Sequence, residues 1–169
     1  AKFLNRVWRL AVPGSDLTKG VRSGEATEAD VNVDRAAHRL VARVTDEYDR
    51  WSYNTAIAGF MEFTNMLYRY VQAEDGPHAA TLDSAVDALL LVMAPAAPHL
   101  CAELWELRRG GHVHLEAWPT ADSAKLFSET VTLVVQVNGK VRDRIEVAAD
   151  IDEAAGEAAA LASERVQAF

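Results

Sequence analysis

The chain has 169 residues, half of them apolar and a quarter charged, with a formal net charge of −8. That composition excludes a disordered chain and fits one ordinary domain, or one domain with a small appendage. No run approaches the ~20 apolar residues of a membrane span, no basic and apolar leader is read at the start, and the lone Cys101 excludes an internal disulfide or a cysteine zinc cage.

Lys2–Val12 carries Phe3, Leu4, Val7, Trp8 and Ala11 at helical spacing and ends at Pro13-Gly14. Residues 13–30, rich in Gly, Ser, Thr and charge, read as a mobile loop. The spacing predicts a second helix over Asp34–Asp49, with Leu40, Val41, Val44, Tyr48 and Trp51 in one stripe and Asn32 or Asp34 as its cap. A third is predicted over Asn54–Ala73, with a core stripe of Ile57, Phe60, Met61, Thr64, Leu67, Tyr68 and Val71. Pro77 suits the first turn of a fourth helix, which buries Leu82, Ala85, Val86, Leu89, Leu90 and Met93 and stops near Pro95. Pro98 opens a fifth, with Cys101, Leu104, Trp105 and Leu107 turned inward and Gly110-Gly111 at its end. Cys101 reads as a small buried apolar residue. Five helices with short loops imply an antiparallel bundle over residues 1–120, with Trp8 and Trp105 as structural residues.

Trp118-Pro119 and a polar, Ala-rich stretch lead into a linker over residues 121–129. Thr130–Val137 and Lys140–Val147 then read as two strands around an Asn138-Gly139 hairpin turn. Asp150 with Glu153 resembles a capping box at the head of a last helix, Ile151–Phe169. The fold class is therefore mainly α, a helix bundle followed by a small α+β appendage over 130–169. Two strands and one helix rarely close a core, so further strands are expected beyond Phe169.

Catalytic and metal-binding patterns are not found: no Gly-rich phosphate loop, no HExxH, no GxSxG. His112 and His114 lack a third ligand nearby. His99, beside Pro98, is expected to cap or pack rather than react. The single thiol points to a reducing, cytoplasmic compartment.

An acidic protein does not attract nucleic acid through its overall field, so RNA binding must come from local faces. Three basic faces qualify. Alternation along the second strand puts Lys140, Arg142 and Arg144 on one side and Val141, Ile145 and Val147 on the other, with Asp143 the exception among them. Lys2, Arg6 and Arg9 share a face of the first helix. Arg35, Arg39 and Arg43 repeat every four residues on the second, with His38 beside them and Asp46 and Glu47 placed to neutralise that end. Such faces suit backbone recognition by shape. A rival reading, favoured by the net charge, is a helical protein-interaction domain with no RNA role.

The run Thr132-Leu-Val-Val-Gln-Val-Asn-Gly-Lys-Val-Arg142 resembles the segment that opens the small C-terminal domain of bacterial leucyl-tRNA synthetases. Lys2-Phe-Leu-Asn-Arg-Val-Trp8, Tyr53-Asn-Thr-Ala-Ile57 with Met61-Glu62, Ala94-Pro-Ala-Ala-Pro-His99 through Glu103-Leu-Trp105, and Trp118-Pro119 resemble the anticodon-binding bundle of the class I leucine, isoleucine and valine enzymes, in the same order. The Val135–Lys140 run selects leucine among the three. The resemblance implies a parent enzyme that joins leucine to its tRNA using ATP and magnesium. No counterpart of its two catalytic signatures or its editing domain is found here, so neither catalytic residues nor a cofactor are expected in this chain. It implies leucine tRNA, and the catalytic and editing domains of the same parent chain, as partners of a monomer. Lys140, Arg142 and Arg144 become candidates at the outer corner of the tRNA, where the D and T loops meet, Lys2, Arg6 and Arg9 become candidates near the D-stem side, and Arg39 is a further tRNA-binding candidate. Asn138 and Gly139 become the turn that presents the first group. Family members continue past the position of Phe169.

Overall fold

The computed structural model describes residues 2–126, 130–137, 139–148 and 151–167, which fall into two units, Ala1–Leu126 and Phe127–Phe169. In the first unit α1 (Lys2–Ala11) buries Val7, Leu10 and Ala11 and rests Phe3 and Trp8 against the core. Val7 is its most buried residue, and Leu4 is left exposed. α2 (Glu28–Asp49), α3 (Tyr53–Val71), α4 (Ala79–Met93) and α5 (Pro98–Arg109) complete the bundle. Phe60, Leu67, Leu89 and Leu104 are among the largest side chains that are less than 2% exposed. Each fully buried Leu, Val or Phe contributes roughly 1.5–3 kcal/mol.

α2 begins well before Asp34, because Thr27 and Asp30 build its start. The Asp30 carboxylate reaches back to the Thr27 N–H at 2.6 Å, the returning half of a capping box. Asn32 and Asp34 lie inside the helix. Asp30 also does more than cap. It is 1% exposed and accepts from Tyr70 Oη and Arg22 Nη2 as well. Burial acts to raise its pKa, but hydrogen bonds from Tyr70, Thr27 and Arg22 outweigh burial and hold the carboxyl well below the usual range.

Arg22 extends this clasp. Its Nε donates to Gly76 O at 3.3 Å, its N–H to Pro77 O at 2.9 Å, and the Ala79 N–H donates to Arg22 O at 2.9 Å. The His78 N–H donates to Tyr70 Oη at 2.8 Å. Gly76 has φ +68, and a Cβ there would collide with the carbonyl of Gly20. The second half of the expected mobile loop is thus strapped to the α3–α4 turn. Pro77 lies just outside α4, whose N-cap is His78.

Other expectations shift by a fraction of a helical turn. The core face of α3 is Ala56, Gly59, Phe60, Phe63, Thr64, Leu67, Tyr70 and Val71, while Ile57 and Met61 are exposed. Trp51 sits after α2 in the left-handed region, φ 57, and is 80% exposed. α5 buries Cys101, Leu104 and Trp105 but leaves Leu107 outside. Burial pushes the Cys101 thiol up to about 12. Residues 121–126, expected as linker, lie on α2: the Asp122 N–H donates to His38 Nδ1 at 3.1 Å, and Lys125, on α6 (Ser123–Leu126), meets Asp34 at 2.7 Å. Trp118 Nε1 donates to Thr45 Oγ1 at 2.9 Å.

In the second unit β1 (Thr130–Val137) pairs antiparallel with β2 (Lys140–Ala148). Gly139 has φ 75, as the turn requires. Asn138 and Asp150 lie outside the described residues. The last helix is shorter than expected and broken. α7 (Glu153–Ala162) is capped by Asp152, which accepts from the Ala155 N–H, and α8 (Glu164–Gln167) follows after Ser163. Among the described residues no helix is long and apolar enough to cross a membrane.

Candidate nucleic-acid interface

Many of the cations of the first unit are matched to carboxylates. Arg108 and Arg109 of α5 grip Asp83 and Asp87 of α4, with Arg108 at 2.7 and 3.0 Å. Arg43 holds Glu47 at 2.8 Å and Glu62 at 2.7 Å, and Arg50 holds Asp46 at 2.7 Å. Among the described residues Lys2, Arg9, Arg39 and Arg69 form no ion pair within 4.0 Å. All four are exposed.

Arg69 lies on α3 itself, Arg39 shares a groove with it, and Lys2 and Arg9 lie on α1, which packs on α3. On one flank, the Arg6 guanidinium lies 4.3 Å from the Tyr68 ring centroid and donates to Asn65 Oδ1 at 2.7 Å. The Tyr68 hydroxyl donates to Arg6 O at 3.2 Å. This cation–π contact and two hydrogen bonds seat α1 on α3 and leave Lys2 and Arg9, one turn to either side of Arg6, facing solvent. On the other flank, Arg39, Arg43 and Arg69 line a groove of about 260 Å³ between α2 and α3, with Leu40, Gly59 and Phe63 in its wall. A Cβ on Gly59 would stand 3.5 Å from Leu40 Cδ1 and 3.6 Å from Arg43 Cζ, ordinary van der Waals contact, so Gly59 faces α2 across the floor of this groove. Arg69 lies one turn beyond Asn65 and joins the two flanks. The face carries unneutralised charge and no deep pocket, so it can grip a phosphate backbone without reading bases.

Spacing in the sequence found Lys2, Arg6, Arg9 and Arg39 on this face. It did not find Arg69, a single cation on an apolar helix. Arg35 is half-buried and already engaged, and His38 is tied to Asp122 and Lys125.

The hairpin does not build the expected three-cation face. Its register pairs Val135 with Asp143 but Gln136 with Val141, so Arg142 is an extra residue at a β-bulge. The bulge reverses alternation beyond it. Arg144 pairs with Val134 on the side of exposed Thr132 and Gln136, where Val141 also lies, 52% exposed. Lys140 pairs with Val137 and so falls on the side of Leu133 and Val135. Arg142 itself is half-buried. Asp143, the odd acid on the apolar side, has its purpose there. The Ser163 hydroxyl and the Arg144 N–H donate to it and hold its carboxyl below the usual range, and Arg165 stands 3.4 Å away.

Of the structural residues, Trp105 is 6% exposed and its Nε1 donates to Glu116 Oε1 at 3.3 Å, and Trp8 packs beside the core. His99 is exposed on the first turn of α5, where Ala97 is the N-cap, so it neither caps nor packs.

Residues 30–157 match the family described as anticodon-binding domain of tRNA ligase. The chain is 47% identical to a leucine–tRNA ligase of Symbiobacterium thermophilum, covering 100% of this chain and 24% of that protein. It is 42% identical to one of Herpetosiphon aurantiacus, covering 98% and 20%. It therefore spans a quarter or less of the length of these curated relatives. Among solved structures it superposes on a chain in the ternary complex of Agrobacterium radiobacter K84 agnB2 LeuRS with tRNA and LeuAMS, with a TM-score of 0.75 at 28% identity, covering 99% of this chain and 22% of that one.

Proposed function

The chain belongs to the anticodon-binding domain family of tRNA ligases, and from that premise we propose that it is the tRNA-holding part of a leucine–tRNA ligase. It positions leucine tRNA through backbone and shape contacts, while ATP-dependent leucylation takes place on segments outside these 169 residues. The observation that carries this reading is the cluster of exposed cations without carboxylate partners, Lys2, Arg9, Arg39 and Arg69, around α3 in a molecule of net charge −8. Local charge answers the objection from the overall field, because a screened solution feels charges within about 10 Å. Arg6 contributes by seating α1, and Arg43 by shaping the groove wall. On the hairpin, Lys140 and Arg144 act as separate single charges rather than as one surface, and Arg142 serves the bulge.

The test is binding of leucine tRNA over a salt series. Wild-type affinity falls steeply with salt, and the Arg39→Glu/Arg69→Glu double variant binds at least about tenfold more weakly with a shallower log–log slope. Circular dichroism should show the same helicity in both. Equal affinities and slopes in the two proteins would overturn the assignment.

A further inference from the structure

Tyr53, Ile57, Met61, Asn65 and Arg69 stand four residues apart on α3 and form one outward ridge. Its character changes halfway. Asn65 and Arg69 belong to the basic face, whereas Tyr53, Ile57 and Met61 are apolar and 39%, 41% and 44% exposed. The apolar half continues into an aromatic cluster at the α2–α3 corner. Tyr53 lies 6.2 Å from Trp51 and 5.0 Å from Tyr48, and Tyr48 lies 5.9 Å from Trp118, ring centroid to centroid. Trp51, the one described non-glycine residue with positive φ, holds its indole out into solvent. Large exposed apolar surface of this kind marks a docking site rather than a solvated face.

We propose that this apolar half-ridge is the surface on which the remainder of a leucine–tRNA ligase chain packs, an inference that rests on the function proposed above. Two observations choose that occupant over RNA. The cations beside the apolar half are already neutralised, Arg43 by Glu47 and Glu62 and Arg50 by Asp46, and the unpaired Arg69 lies about two turns beyond Met61, so the apolar half itself draws no phosphate. Ile57 and Met61, which make up most of the apolar half, present aliphatic and thioether surface with no ring for a nucleobase to stack on, and the exposed rings of Trp51 and Tyr53 stand only at its end. A row of side chains at four-residue spacing instead fits the groove of another helix. The relatives carry this region on chains four to five times as long, which supplies the protein surface to fill it.

The experiment places p-benzoylphenylalanine in place of Ile57, and separately of Met61, in the complete gene product. It is irradiated with and without leucine tRNA, and the cross-linked peptides are identified by mass spectrometry. The expected result is a cross-link to peptides of the same polypeptide outside residues 1–169, formed with or without tRNA. Cross-links only to tRNA, only within residues 1–169, only to a second copy, or none at all would each overturn the docking surface. Repeating the irradiation in the Arg39→Glu/Arg69→Glu background separates the two claims. Loss of tRNA affinity with the protein cross-link intact leaves docking standing, and an intact affinity with no cross-link removes docking alone.

Discussion

The helical unit and the hairpin unit hold themselves together by different means. In the first, α1 to α5 interleave side chains such as Phe60, Leu67, Leu89 and Trp105 into one buried cluster, and the positions of surface charges follow from that packing. In the second, Val147 is the one described apolar side chain that is buried, while Leu133, Val135 and Ile145 are half-buried. Strand pairing and polar ties through Asp143 do the rest. A cation on the bundle is therefore placed by close packing, whereas one on the hairpin is placed by a backbone register that a single extra residue can reverse.

The sharpest way to break this contrast is to remove a core residue from each unit. Trp105→Ala should cost roughly 3–5 kcal/mol in a denaturant melt of the helical transition. Val147→Ala should cost only about 1–2 kcal/mol, from the methyl groups removed, and should leave the helical transition in place. Equal effects would mean the two units share one core.

Asp30 comes next. Asp30→Ala should cost about 3 kcal/mol, because it leaves Arg22 and Tyr70 without their acceptor. The pH dependence follows from the direction of its shift. The folded carboxyl titrates below the ordinary Asp value of 3.8, so its contribution is fully present above that value. It is lost as the pH falls below 3.8 toward the lower folded value. Thermal melts of wild type and Asp30→Asn should converge in that acid window, and parallel curves would show that Asp30 is not the group responsible.

The smallest effect is expected on the hairpin. Arg144→Glu should weaken tRNA binding by no more than about threefold, the loss of one phosphate contact from a lone charge. A loss as large as that of the Arg39/Arg69 double variant would restore the three-cation surface that the bulge denies.

Helix number, order and most of the core were legible in the sequence, because period-3.6 patterning and Pro or Gly stops are local signals. The face of α3 is not legible in the sequence, for a definite reason. Ile57 and Met61 are as apolar as core residues, while the buried face includes Ala56 and Gly59, the latter facing Leu40 of α2, and their small size registers weakly in a hydrophobic pattern. The bulge left one trace, an acid at Asp143 among apolar neighbours, and alternation alone cannot say that such an acid anchors Ser163 and Arg165. The basic face was half visible. Repeats of Lys and Arg on α1 and α2 can be counted, but Arg69 acquires its meaning only when α2 and α3 are brought together.

The Arg22–Asp30 clasp also sets where this polypeptide can tolerate a change of length. Between Pro13 and Ser15, ahead of the single 3-10 turn Asp16–Thr18 that rests Leu17 against the core, extra residues would only enlarge a surface arc, at an entropic cost that grows with the logarithm of its size. Between Arg22 and Asp30 one added residue would move the guanidinium off its carboxylate and slide the Thr27 cap out of step with α2. The same connection is thus elastic at its start and fixed like a ruler at its end.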